Sequence, residues 1–164
     1  MPGKHIIKTV LILSIVIINI GCDQVSKKIV RRNINPYETI HLLSNHITIT
    51  NVENSGAFLS AGDSLPKTAK NILFSILPLI AVGLGFIYVL SKQNISIPLL
   101  LGICFVLGGG VGNIFDRVAY GSVTDFLHID LGIFQTGIFN MADLSIMIGV
   151  FIILLQSLFR RKHY

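Results

Sequence analysis

Charged side chains are scarce in these 164 residues. Asp, Glu, Lys and Arg together make up 13%, about half of the roughly 25% usual in soluble domains. That shortage excludes an ordinary water-soluble globule. Disorder is excluded by the matching abundance, 52% hydrophobic residues and a mean hydropathy of +0.74, because disordered chains are poor in apolar side chains. Cysteine is scarce too. Cys22 ends one apolar run and Cys104 lies inside another, so no disulfide framework is expected and both are read as free thiols acting as small hydrophobes. His5, His41, His46, His128 and His163 show no metal-ligand spacing, and neither a metal nor another cofactor is expected. Internal repeats and low-complexity tracts are missing. A net charge of +5 remains. Its basic residues are scattered among apolar runs and form no stripe for nucleic acid. Beside a bilayer the same surplus reads as attraction to anionic lipid head groups.

Long apolar runs are what the chain has instead. They are Ile6–Cys22, Ile72–Leu90, Ile95–Phe115 and Phe139–Phe159, of which the middle two carry no charge and the last only Asp143. Each reaches or approaches the ~20 residues that cross a bilayer as a helix, giving spans at about 6–22, 69–90, 95–116 and 139–159. Pro78 is expected to kink the second. Lys4, Lys8 and Gly21-Cys22 also resemble a bacterial lipoprotein signal, but Asn19 fits that pattern poorly and three spans follow, so the first run is read as a span. The eight acids all fall between Asp23 and Asp143. None lies in the N-terminal tail, the Ser91–Asn94 connection or the C-terminal tail, which carry Lys4, Lys8, Lys92, Arg160, Arg161 and Lys162 at high density. By that density both termini are cytoplasmic, with residues 23–68 and 117–137 outside. Asp23–Arg32 continues the first helix. The run from Ile47 alternates with period two, and so does Val123, Asp125, Leu127, Ile129 and Leu131. The fold class is therefore an all-α membrane protein of four transmembrane helices, a single domain over 1–164, with a small extracytoplasmic β-sheet and a short surface helix.

Ionisable groups at membrane depth ask for a reason, and here they converge where outer span ends meet loops. Asp23 and Lys27, four apart, are either a helix-surface ion pair or a brace for a site. Gly108 and Gly112 form a small-xxx-small face for close helix approach; the glycine string around them lacks the Gly-Lys-Ser/Thr ending of a phosphate loop. Asn113 and Arg117 project together, Arg117 to brace or to bind substrate, while Asp116 is expected to neutralise a basic group. Asn54, before Gly56, either supplies a side-chain hydrogen bond or belongs to a plain turn. Asp125 lies on an otherwise apolar strand face. Asp143 opens the fourth helix three residues after Asn140, in reach of a helix cap. Two carboxylates at one depth, neither obviously neutralised, can activate water against a peptide bond. An ion-coupled transporter using Asp143 is the rival, although its acids would be expected nearer the midplane.

Five strings occur in one order: Asp23-Gln-Val-Ser-Lys27, Asn54-Ser-Gly-Ala-Phe58, Gly112-Asn-Ile-Phe-Asp-Arg117, Thr124-Asp-Phe126 and Phe139-Asn-Met-Ala-Asp143. Together the chain resembles the lipoprotein signal peptidase, or signal peptidase II, family of bacterial inner membranes, over nearly its whole length. The resemblance implies an aspartyl endopeptidase that cuts prolipoproteins just before a diacylglyceryl-modified cysteine, near the outer face. It implies Asp125 and Asp143 as the catalytic pair. Asp23, Lys27, Asn54, Gly108, Asn113, Asp116, Arg117, Asn140 and Ala142 would be substrate-binding or supporting residues. Membrane lipids and prolipoproteins would be its partners, the protein would act as a monomer, and cyclic peptides such as globomycin would inhibit it. Thr124 stands where valine is common, Glu53 where arginine often precedes the asparagine, and the Asn54 string is one alanine shorter than a common form. These departures bear on substrate contact at the loop. Within the pair, a helix N-terminus favours an ionised Asp143, and an apolar strand face favours a neutral Asp125.

Overall fold

Four long apolar helices and one small antiparallel sheet account for the regular structure. The structure, a computed structural model, describes residues 2–57 and 61–160. Phe58, Arg161, Lys162, His163 and the side chains of Lys4 and Arg160 lie outside what it describes. The helix α1 runs unbroken over Pro2–Asn33, so Cys22 sits mid-helix and the Asp23–Arg32 continuation holds. Strands β1 (Thr39–Leu42) and β2 (Ile47–Asn54) follow. The second span comprises α2 (Lys67–Asn71), a π-helical turn (Ile72–Ile76) and α3 (Leu77–Ser91). The irregularity expected of Pro78 takes this form: proline has no N–H to return to the preceding turn and its ring crowds the carbonyl there, so the turn widens. Then come α4 (Ile97–Tyr120), β3 (Val123–Ile129) and α5 (Met141–Arg160). Among the described residues the one short helix, α2, forms the first turn of the second span. The third helix reaches Tyr120, four residues past the expected boundary, before Gly121 caps it at φ +80°, a conformation glycine adopts without steric cost.

The helix α4 is the hub, packed on α5, α1 and α3. Half of its most apolar stretch is buried, against about a tenth of that in α1 or in the second span. Ile17, Leu84, Ile87 and Phe151 instead face outward, each more than 60% exposed. A water-soluble fold could not leave so much apolar surface open; lipid is the solvent these faces fit.

Small residues let the helices meet. A β-carbon on Gly109 would lie 2.3 Å from the carbonyl oxygen of Ala142, so α5 begins directly against α4 backbone. On Gly112 it would lie 2.6 Å from Asp23 Oδ2. Gly108 allows the same approach to Asn19 of α1, a packing contact away from the carboxylates.

The sheet order is β1-β2-β3, antiparallel throughout. The strand β1 is four exposed residues after Pro36, too short for its pattern to mark it, and joins β2 through three left-handed residues, Leu43, Ser44 and Asn45. A bulge between Ile49 and Val52 breaks the β2–β3 register. There Asn51 is buried and its amide donates to the Ile34 carbonyl at 2.8 Å, tying the sheet to the end of α1. The strand β3 does not show the expected one-sided pattern, since Val123, Thr124, Asp125 and Phe126 are all buried. The reason is coverage on both faces: Thr124 and Phe126 meet Arg31 and Val30 of α1 and Ile34 just after it, while Asp125 on the other face meets Asn140.

Candidate active site

The start of α5 is a reciprocal cap. Asn140 Oδ1 accepts the Asp143 N–H at 2.9 Å, and Asp143 Oδ2 accepts the Asn140 N–H at 3.3 Å, which satisfies helix donors that have no partner within the helix. The Asn140 side chain has a second task. Its Nδ2 donates to Asp125 Oδ1 at 2.6 Å, so one fully buried residue donates to both carboxylates, by its side chain to Asp125 and by its backbone N–H to Asp143. Asp125 arrives from β3. Its Oδ2 accepts Asn54 Nδ2 at 2.8 Å, a diagonal neighbour across β2–β3. Asn54 Oδ1 also accepts the Gly56 N–H at 3.0 Å and its Nδ2 reaches Ala57 O at 2.9 Å. The Asn54 segment is thus a side-chain-bonded turn aimed at the carboxylate.

Asn113 of α4 donates to Asp143 Oδ1 at 2.8 Å, and its own oxygen accepts Lys27 Nζ at 3.0 Å. That bond fixes which way the Asn113 amide faces. Lys27 is fully buried between Asp23 (2.8 Å) and Asp116 (2.9 Å), themselves fully buried. This decides between the two readings of Asp23 and Lys27: they are an internal brace joining α1 to α4. Asp23 Oδ1 further accepts the Ala142 N–H at 2.9 Å, so Ala142 contributes its backbone and locks the start of α5 to α1. Asp116 neutralises both Lys27 and Arg31, the latter at 3.2 Å.

Arg117 points away from its sequence neighbour. Its guanidinium donates to Gly56 O at 2.9 Å and to Asn113 O at 3.3 Å, joining α4 to the Asn54 turn.

Two groups carry no obvious pattern in the sequence. Gln24 Nε2 lies within 3.0–3.2 Å of Asp23 Oδ2, Gly112 O and Asp116 Oδ1. Arg31 donates to the buried Thr124 hydroxyl at 2.6 Å, and that hydroxyl donates to Glu53 Oε1 at 2.6 Å. Thr124 and Glu53, two of the three departures from the family pattern, therefore touch each other, and the only hint in the sequence is that both depart together.

Asp125 is 5% exposed and Asp143 half-buried, and among the described residues neither is ion-paired. Burial pushes the Asp125 carboxyl up to about 6, helped by the charge of Asp143 and opposed by the Asn54 and Asn140 amides. The direction is the one expected of an apolar strand face; the value puts half-protonation below neutral pH. A cavity of about 350 Å³ opens on Asp125 between Val52, His128, Thr136 and Ile138. Among the described residues no group of three or more His, Cys, Asp or Glu could hold a metal ion.

Two carboxylates bridged by one asparagine, one largely desolvated and one nearer water, at the end of a membrane helical bundle, are the equipment of an aspartic-type peptidase. The comparisons with known proteins agree. The model of the family described as Signal peptidase (SPase) II matches residues 15–159. Lipoprotein signal peptidases of Streptococcus pneumoniae and Enterococcus faecalis are 33% and 35% identical, over 92% and 87% of this chain and 94% and 84% of theirs. A solved structure described as a bacterial membrane enzyme, obtained by the in meso method, superposes with a TM-score of 0.80 at 26% identity, over 90% of this chain and 87% of that one. The chain belongs to the signal peptidase II family.

Proposed function

We propose that this protein hydrolyses the peptide bond just before a diacylglyceryl-modified cysteine of bacterial prolipoproteins, with Asp125 and Asp143 as the catalytic pair. The observation that carries this reading is Asn140, whose single side chain caps the helix bearing Asp143 and donates to Asp125. In the productive state Asp143 is ionised and takes a proton from water, and the resulting hydroxide attacks the scissile carbonyl carbon. Asp125 gives its proton to the carbonyl oxygen. Collapse of the tetrahedral species transfers a proton from Asp143 to the cysteine nitrogen as the C–N bond breaks, and one diol hydroxyl returns its proton to Asp125 as the new carbonyl forms, which restores the starting pair. Arg117 and Asn113 steady the substrate backbone beside the pair. A wholly apolar groove of about 540 Å³ along α5, lined by Leu144, Met147, Phe151 and Leu154, supports a lipid-bearing substrate because it begins one residue from Asp143.

On this reading both termini are cytoplasmic, the pair lies near the outer face of the inner membrane, the protein acts as a monomer, and globomycin-type cyclic peptides inhibit it. Purified protein offered a diacylglyceryl lipopeptide and its unlipidated twin tests the substrate class: a new terminus at the cysteine is expected only from the first. Equal cleavage of both would remove the lipid requirement.

A further inference from the structure

The opposite end of the bundle carries a second cavity, of about 740 Å³. Its walls come from three helices: Tyr88 and Lys92 at the end of α3, Ser96 and Leu99 at the start of α4, Gln156 and Phe159 on α5. Seventeen residues of α4 separate Ser96 from Asn113, about 25 Å at 1.5 Å per residue, so this cavity takes no part in the carboxylate site.

Four features converge there. Lys92 is exposed at the rim, and its carbonyl accepts Lys8 Nζ at 2.6 Å, which brings a second cation to the same level. The connecting segment Ser91–Asn94 contains no acid to neutralise them. The first turn of α4 has no side-chain cap, and Pro98 sits within it, so its free N–H groups and the positive end of the helix dipole add to an anion-favouring field. Gln156 Nε2 donates to Ser96 Oγ, and the other end of the amide, Oε1, is buried with no hydrogen-bond partner among the described residues. A buried amide end of this kind calls for a hydrogen-bonding partner.

The cations want an anion, and the open end of the buried Gln156 amide wants a neutral polar partner. A phosphodiester with a hydroxylated headgroup supplies both, because its hydroxyl donates to an amide oxygen or accepts from an amide N–H equally well. An ethanolamine headgroup could also donate, but its ammonium would sit among the two lysines and the helix N-terminus. Leu99, Ile95 and Phe159 line the remaining wall, as an acyl chain leaving the headgroup for the hydrocarbon requires. We infer that this cavity binds an anionic phospholipid with a hydroxyl-bearing headgroup, of the phosphatidylglycerol kind.

Native mass spectrometry on delipidated protein tests this, with phosphatidylglycerol, phosphatidic acid and phosphatidylethanolamine offered together. Phosphatidylglycerol should be retained about tenfold over phosphatidylethanolamine, the scale of one charge-assisted hydrogen bond. Lys92→Gln should lower retention of both anionic lipids. Gln156→Leu should lower phosphatidylglycerol to the level of phosphatidic acid and leave the latter unchanged. Gln156→Glu keeps the side chain's shape and should repel both anionic lipids. Peptidase activity at the far end of the bundle serves as the folding control for each variant. Equal retention of the three lipids by the parent protein, or a preference that survives all three substitutions, overturns the proposal. So does displacement of the bound lipid by soluble glycerol phosphate, which would make the ligand a free headgroup.

Discussion

Asn140 concentrates more of the site than either carboxylate. Its side chain caps a helix, orients Asp143 and donates to Asp125, so Asn140→Ala should cost about 1 kcal/mol as a lost cap. Its effect on turnover should be far larger, about 100-fold in kcat; a variant that loses stability but not rate would sever the link between cap and chemistry. Asp125→Asn and Asp143→Asn should each lower turnover of a lipopeptide by at least ~1,000-fold while leaving the protein folded. The Asp125 carboxyl near 6 also sets a pH dependence. If its protonated form delivers the proton, kcat/KM of the free enzyme falls as pH rises through about 6, roughly tenfold per unit beyond. Stability follows the same sign: a folded-state value above the unfolded one favours folding at low pH, and that contribution is lost between about pH 4 and 6. The Asp125→Asn variant has no such loss, so its stability relative to the parent should improve over that interval in a thermal unfolding series. A gap independent of pH would mean that Asp125 is not the perturbed group.

At the scale of elements, the site depends on how closely α5 can begin against α4 and α1. Gly109 and Gly112 leave no room for a β-carbon, whereas Gly21 has nothing within 4 Å. Gly109→Ala should therefore displace Ala142 and depress activity, while Gly21→Ala should be silent; equal behaviour of the two in a lipopeptide assay would refute the packing argument. The buried Lys27 between Asp23 and Asp116 is the other constraint. Lys27→Met leaves the buried Asp23 without a cation beside Asp116, which keeps only Arg31, and should destabilise by about 3–5 kcal/mol, read as a lowered melting temperature in detergent.

Across the whole molecule, exposed apolar residues ring the bundle while polar groups gather at its two ends. Orientation in the bilayer is then a matter of which end faces out, and charge density in the short segments argues for the sheet end. In a Cys22→Ala background, a cysteine at exposed Ser64 should react with an impermeant thiol reagent applied to intact spheroplasts, and one at Gln93 should not. The reverse pattern would invert the topology.

Apolar runs of bilayer length could be read directly, because a helix in lipid must satisfy its own backbone and so leaves a continuous hydrophobic signature. The strand β2 was legible from its alternation, and Asp125 and Asp143 from being charges where charge is costly. The ambiguities were all questions of partner. Asp23 and Lys27 at spacing four fit an exposed pair equally well, until α4 supplied Asp116 and closed solvent out. Asn54 fitted a plain turn until β3 brought Asp125 within 2.8 Å. The strand β1 escaped notice because four exposed residues bury nothing and so leave no pattern. Thr124 and Glu53 read as isolated departures until Arg31 joined them. Sequence by itself determined the solvent, the helices and the residues too costly to be incidental; tertiary structure alone decided which of those residues face each other, because hydrogen bonds and ion pairs across 71 to 119 positions of chain leave no local period to read.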